Sequence, residues 1–513
     1  MKIMYRWLLV AVLLPVASCL TATPKGEKIV VAYVCSWTNE RLPDPHLMTH
    51  INYAFGHVKG TFDGVDIQNP PFLRKVMHLK RQNPSLKIML SIGGWTSGNF
   101  SEMAASPPNR RAFAKDCRRI VDEYGLDGID IDWEYPTSSE AGISSSPDDT
   151  DNFTLLMRDL RKALGRKKLL TAATIADGIY VDFPACMRYM DFINIMAYDV
   201  ANPPRHHTTL FRSPLTGRIS VEEAVEAHIR NGVPPEKLTL GMPLYGRGDH
   251  SNGILHRYVK TRHTAGMYQE QWDETGKVPY LTDRSGMLVW GFDNPRSLAA
   301  KCQYIIDRGL LGGMYWECTE DNAQLDGMKT VFLSLMKHGK ATTPQKQVLL
   351  LTDHKQDFVD EMGKMTRKIA NEQAWEITEM STEKAKNMRS FDPYHVVIAD
   401  QTSIQQLDED ARKAFAQYVD EGRGSYISLW QAAQTDTTVT WEWYRLFADS
   451  LRIAPPKEGI VEAEGEQHPV LWTQTGKTGR NIHFIFSPRL QLRSGLSYLE
   501  TPLAAALRWA LFE

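Results

Sequence analysis

Short runs of β-branched and apolar residues alternate with amphipathic stretches from residue 29 to about residue 338. The runs over 29–35, 50–55, 87–92, 128–134, 169–175, 192–198, 238–244 and 313–317 are short, nearly continuous and bounded by turn residues, which predicts buried strands. Apolar positions three and four apart over 107–124, 151–164, 221–231, 295–308 and 323–337 predict helices between them. Eight strands separated by helices over roughly 310 residues point to an α/β fold of the (β/α)8 TIM-barrel type. A doubly wound open sheet is the alternative that the pattern alone leaves.

The periodicity breaks at 339–346, where the polar segment KATTPQK reads as a linker. A second α/β pattern follows, with strands over 347–351, 394–399, 425–429 and 482–486 and helices over 359–369 and 407–421. Parallel strands joined by helices predict a smaller flavodoxin-like three-layer domain over 347–513. At the other end, Lys2 and Arg6 precede an apolar stretch over 7–16 that is too short to span a bilayer, which favours a cleaved export signal. The signal ends Val16-Ala17-Ser18-Cys19, similar to a bacterial lipobox. The expectation is therefore an exported bacterial lipoprotein of the cell envelope, at the outer membrane or cell surface. It would be cleaved after residue 18, lipidated on Cys19 and tethered to the membrane through 19–27.

Composition narrows the function classes. Lys plus Arg number 59 against 61 Asp plus Glu, a net charge of −2 that gives no electrostatic case for a nucleic-acid partner. Of the six cysteines, at 19, 35, 117, 186, 302 and 318, none forms a CxxC pair or stands at ligand spacing from a histidine. No metal and no cofactor is expected, and the five beyond Cys19 read as buried free thiols.

The chemistry lies in Asp127-Gly128-Ile129-Asp130-Ile131-Asp132-Trp133-Glu134-Tyr135-Pro136. Strand alternation puts Asp130, Asp132 and Glu134 on one face and Ile129, Ile131 and Trp133 on the other. Three carboxylates in a row on a covered strand oppose one another's ionisation, and sharing a proton is the least costly solution. A carboxyl that stays protonated near neutral pH is what a general acid requires. A calcium loop is disfavoured, because Tyr135 stands where such a loop needs glycine. Asp127 is out of phase with the other three and reads as a strand-start residue supporting the site.

DGIDIDWEYP resembles the DxxDxDxE signature of family 18 glycoside hydrolases, the chitinase family. Four more segments stand in the family's order: Ser91-Ile92-Gly93-Gly94-Trp95, Met196-Ala197-Tyr198-Asp199, Gly241-Met242-Pro243-Leu244-Tyr245-Gly246-Arg247 and Gly313-Met314-Tyr315-Trp316-Glu317. The resemblance covers 28–338. It implies retaining hydrolysis of β-1,4 bonds in N-acetylglucosamine-containing glycans, chitin and chitooligosaccharides first, with the substrate's own acetamido oxygen as nucleophile. On this resemblance Glu134 is the general acid and base, and Asp132 orients the acetamido group. Asp130 holds Asp132's proton, and Tyr198 donates to the acetamido oxygen. Trp316 would lie under the sugar, and Tyr33, Phe55, Gly94, Trp95, Met196, Asp199, Tyr245 and Arg247 would contribute to substrate binding.

Gly93 and Gly94 read as residues that permit close packing at a strand end. Arg247 and Trp290 are only 43 residues apart, and the segment 250–280 looks polar and rich in loops, too short for the whole α+β insertion of many family members. That predicts an open cleft and endo-type cleavage. An endo-β-N-acetylglucosaminidase acting on the chitobiose core of N-glycans and a non-catalytic chitin-binding lectin are the alternatives; the family's lectins typically lose the glutamate that stands here as Glu134. Residues 347–513 resemble the trehalose-utilisation-protein-like branch of the glutamine-amidotransferase-like fold, through VLLLTD (348–353), YHVVIAD (394–400) and YISLWQAA (426–433). The absence of cysteine past Cys318 excludes a cysteine nucleophile there, so binding or packing against the barrel is the expected role.

Overall fold

A computed structural model describes residues 28–38, 41–248, 268–322, 324–336, 346–351, 357–372, 375–420, 424–431, 460–463, 466–469, 471–475 and 480–486. The export signal, Cys19 and the tether lie outside the described residues. Among those described, no helix is long and apolar enough to cross a membrane.

Eight parallel strands form the barrel: Ile29–Cys35, His50–Val58, Lys87–Gly93, Gly128–Asp132, Leu169–Ile175, Phe192–Met196, Leu238–Pro243 and Gly312–Trp316. Each pairs with its sequence neighbour, and the sheet closes where Ile29 meets Gly312 and Val31 meets His50. The nearly unbroken apolar runs follow from burial on both faces. Outward positions such as Ile129, Ile131 and Trp133 join the layer beneath the helices. Inward positions, among them Val31, Tyr33, Met89, Phe192 and Met314, fill the barrel. Burying a side chain of the size of Ile129 stabilises by about 2 kcal/mol. The helix Pro107–Tyr124 shows how the outer layer is built. Ser106 caps its start, Gly125 at φ 71° ends it, and Phe113, Cys117, Ile120 and Val121 supply its buried stripe.

Two departures from the sequence reading concern the site. The fourth strand ends at Asp132, so Glu134 reaches the barrel mouth from the loop that follows. The segment expected to be loop-rich carries the strands Gln269–Asp273 and Val278–Thr282. With Leu288–Gly291 and Arg247–Gly248 they form a four-stranded antiparallel sheet.

In the second domain five parallel strands, Gln347–Leu351, Glu376–Met380, Val396–Asp400, Ser425–Gln431 and Arg480–Phe486, lie in the order 2-1-3-4-5, the flavodoxin-like order. Leu471–Thr475 pairs antiparallel at one edge. This domain touches the barrel's last helix, Asp326–Met336, where His395 Nε2 lies 2.9 and 3.0 Å from the two oxygens of Asp326. Gln324 donates to the carbonyls of Asp392 and Tyr394.

Candidate active site

The strand Gly128–Asp132 places Asp130 inside the barrel and Asp132 one layer higher, at its mouth. The neighbouring strand makes room by using glycines. Gly93 (φ 130°) has no space for a Cβ, which would fall 1.9 Å from the Asp132 carbonyl oxygen. At Gly94 (φ 93°) a Cβ would meet the Phe55 ring at 2.4 Å, and its N–H donates to that same carbonyl at 2.9 Å. Gly94 therefore serves the close approach of backbone and ring, and it is not among the residues lining the cavity above.

Asp130 is fully buried and accepts four hydrogen bonds. Tyr33 Oη and Ser91 Oγ donate to Oδ2, each at 2.8 Å, while Thr171 Oγ1 at 2.5 Å and Asn194 Nδ2 at 3.2 Å donate to Oδ1. Three of these partners are hydroxyls, able to donate to a carboxylate or to accept from a carboxyl proton, and Asn194 Nδ2 can only donate. Burial pushes the Asp130 carboxyl up, and the four hydrogen bonds oppose that shift without cancelling it. Asp130 thus stands directly beneath Asp132 as a buried, hydrogen-bonded carboxyl whose proton affinity, like that of Asp132, is raised by burial. Burial and the charges of Glu134 and Asp130 raise the Asp132 carboxyl well above its ordinary range. The Oδ1 atom of Asp132 is buried without a hydrogen-bond partner among the described residues.

Glu134 is half-buried. Burial raises its carboxyl to about 7, a hydrogen bond from Tyr135 opposes the shift, and the charge of Asp199 adds to it. Tyr198 Oη lies 3.9 Å from Met314 Sδ, a weak acceptor, and burial with the charges of Asp132, Asp199 and Glu134 keeps the phenol protonated. Asp199 takes the Arg247 guanidinium, with Nε 2.6 Å from Oδ1 and a second nitrogen on Oδ2, and the His207 ring at 3.3 Å. Burial would raise Asp199, but these partners hold it well below the usual carboxylate range.

A cavity of about 1180 Å³ opens above these groups. Phe55, Trp95, Asp132, Glu134, Met196, Tyr198, Asp199, Tyr245, Arg247 and Trp316, all singled out from sequence, line it. Tyr33 lies below Trp316, ring centres 5.4 Å apart, and Phe55 stacks on Trp316 at 5.7 Å. Asp127 sits at the opposite end of its strand, bound to the Ile88 N–H and to Lys80 at 2.5 Å, so it secures the barrel's base and not the site. Sequence reasoning missed Trp37, Tyr135, Tyr180 and His207. Trp37 is 56% exposed and lies 6.4 Å from Trp316, extending the aromatic floor. Tyr135 stacks on Tyr180 at 5.5 Å. Trp37 stands two residues past the first strand and Tyr135 stands inside the acidic motif, so each carried a positional signal; His207 carried none. Among the described residues no cluster of His, Cys, Asp and Glu could hold a metal ion.

A mouth-facing acid, an orphan carboxyl oxygen, a phenol and an aromatic floor together fit sugar chemistry, and comparison with known proteins agrees. The family described as glycosyl hydrolases family 18 matches residues 29–321. Chitinase A1 of Niallia circulans is 32% identical over 301 residues, 48% of this chain and 42% of that protein, so the match spans less than half of the relative. Chitotriosidase-1 of Mus musculus is 31% identical over 339 residues, 56% of this chain and 72% of that protein. Among solved structures, a family 18 N-acetylglucosaminidase from Paenibacillus barengoltzii is 36% identical with a TM-score of 0.55, covering 60% of this chain and all of that one.

Proposed function

The chain belongs to glycosyl hydrolases family 18, and on that premise we propose that the barrel cleaves β-1,4 bonds in glycans containing N-acetylglucosamine, chitooligosaccharides first, with retention at the anomeric carbon. The observation that carries this reading is the pairing of Asp132 Oδ1, buried without a hydrogen-bond partner among the described residues, with a Tyr198 hydroxyl whose hydrogen bond among them goes to the weak acceptor Met314 Sδ. An acetamido group supplies both partners: its N–H to Asp132 and its oxygen to Tyr198.

Glu134, protonated below about pH 7, gives its proton to the glycosidic oxygen as the bond from C1 breaks. The acetamido oxygen closes onto C1 from the opposite side, and the positive charge that develops on the ring formed is balanced by the negative charge that Asp132 and Asp130 hold between them. Glu134, now a carboxylate, takes a proton from the water that attacks C1, and the acetamido group is restored. Trp316 offers its face to the apolar side of the sugar.

Incubating the protein with chitotetraose should give chitobiose in the β-anomer first. Initial α-anomer would contradict retention, and turnover of a high-mannose glycoprotein instead would move the assignment to the chitobiose core of N-glycans. A second reading, release of single N-acetylglucosamine units, is favoured by the 36% identity with the Paenibacillus enzyme; monomer as first product selects it.

A further inference from the structure

We propose that His207 and Thr208 form a two-jawed clamp that positions Tyr198 and Asp199 for the reaction. The inference rests on the hydrolase reading above for its kinetic readout and on geometry for its substance.

Tyr198 and Asp199 lie just past the end of the strand Phe192–Met196, where no ladder holds the chain, and Asp199 sits in the left-handed region at φ 59°. A non-glycine residue stays there only when its surroundings impose it. The segment 206–209 returns alongside and supplies the hold. Thr208 Oγ1 donates to the Ala197 carbonyl at 3.0 Å, gripping the residue before Tyr198. His207 grips the residue after it, with Nδ1 at 3.3 Å from Asp199 Oδ1 while its backbone carbonyl accepts the Val200 N–H at 3.2 Å. His207 and Thr208 are both buried. Because Nδ1 faces a carboxylate, it donates a proton there, while Nε2 is buried with no partner among the described residues.

The clamp is anchored from behind. Lys301, fully buried, donates to Thr208 Oγ1 at 2.8 Å and to Asp293 Oδ2 at 2.5 Å, and Ser297 fixes the other Asp293 oxygen at 2.6 Å. His206 packs edge-on against Tyr280 of the inserted sheet at 5.2 Å, and Leu210 N–H donates to the Gly276 carbonyl at 2.8 Å. The short insertion thus acts as a buttress for the segment that orients the site. The titratable and charged groups around His207 are Asp199, Arg247 and Tyr245 on the cavity side and His206 behind it, with Asp273, Asp293 and Lys301 beyond His206. With the histidine removed, Arg247 is left to draw Asp199 towards itself. Asp199 then lends less of its charge to Glu134, and the carboxyl of Glu134 falls.

The test uses the full chain with chitotetraose. His207→Leu should lower kcat about tenfold with KM within about twofold of wild type, as expected of misplaced reacting groups. It should also move the alkaline limb of the pH profile to lower pH. His207→Asn, which keeps a donor near the place of Nδ1, should restore both, and Thr208→Ser should be silent where Thr208→Val is not. Wild-type kcat and an unmoved limb in His207→Leu overturn the proposal. So does a crystal structure of that variant with Tyr198 and Asp199 unmoved, whatever the activity; absence of turnover in the wild type counts against the hydrolase reading and leaves this structural arm to decide the clamp.

Discussion

Glu134 and Asp130 stand four residues apart and have different roles because their surroundings differ. Glu134 has burial and the Asp199 charge against it and one hydrogen bond for it, so its carboxyl titrates at about 7. Asp130 has four hydrogen-bond partners. Replacing Glu134 by Gln should cut kcat by about 10² to 10⁴ with little change in KM, as removal of a general acid does. In the wild type, kcat/KM should fall as pH rises past about 7, because the raised carboxyl loses the proton it must deliver. Stability carries the same sign: a carboxyl raised on folding favours the folded state below its unfolded value, and that contribution is lost as pH rises through 7. At pH 8 the Gln variant should therefore melt higher than wild type, and an equal or lower melting temperature would contradict the raised carboxyl. Asp132, Glu134 and Tyr198 were legible because one strand's alternation and the family's segments mark them. The four donors to Asp130 were not, since they come from four other strands and no single run of sequence displays them. His207 was hidden for the same reason, reaching Asp199 only through the return of a loop.

Among elements, the eight barrel strands were readable because burial on both faces leaves an apolar run that few other structures need. The strand Glu376–Met380 was not. Its sequence, EITEM, holds only two apolar residues, three apart, beside a single neighbour at the sheet edge, so it carries no such run. Gln269–Asp273 escaped notice similarly, with three of its five residues exposed. The junction at Gly93 and Gly94 is where one element limits another: an added methyl at Gly94 meets the Phe55 ring in a backbone conformation that already disfavours it. Gly94→Ala should destabilise the fold by about 1–3 kcal/mol, measured by urea unfolding, and should tilt Phe55 away from Trp316. A variant as stable as wild type would remove the tight approach as the reason for glycine.

Across the whole molecule, the barrel and the second domain meet at a polar latch. The Gln347 N–H donates to His395 Nδ1 at 2.9 Å, so the neutral ring must carry its proton on Nε2 and give it to Asp326. Burial lowers the His395 imidazole, against the pull of Asp326. Burial would raise Asp326, but the hydrogen bond and charge of His395, with Lys346 and Asn322, hold it below the usual carboxylate range. Both shifts point one way: the latch is complete above the imidazole's ordinary value near 6.5 and weakens as acid is added. Calorimetry should show barrel and second domain melting together at pH 8 and apart at pH 5. His395→Leu, which strips a buried carboxylate of its donor at a cost of about 2 kcal/mol, should separate them already at pH 8. Coincident melting throughout would dismiss the latch.

The five described cysteines are all free and buried, and burial pushes every thiol up, Cys186 to about 11. Cys117, Cys186 and Cys302 lie under the helical shell, whereas at the rim Cys35 ends the first strand and Cys318 opens the short 3-10 helix after the neighbouring last strand. An alkylating reagent can reach sulfur only when one of those layers parts. Their labelling rates thus make the native protein its own chronometer, timing breathing of the shell and of the rim separately.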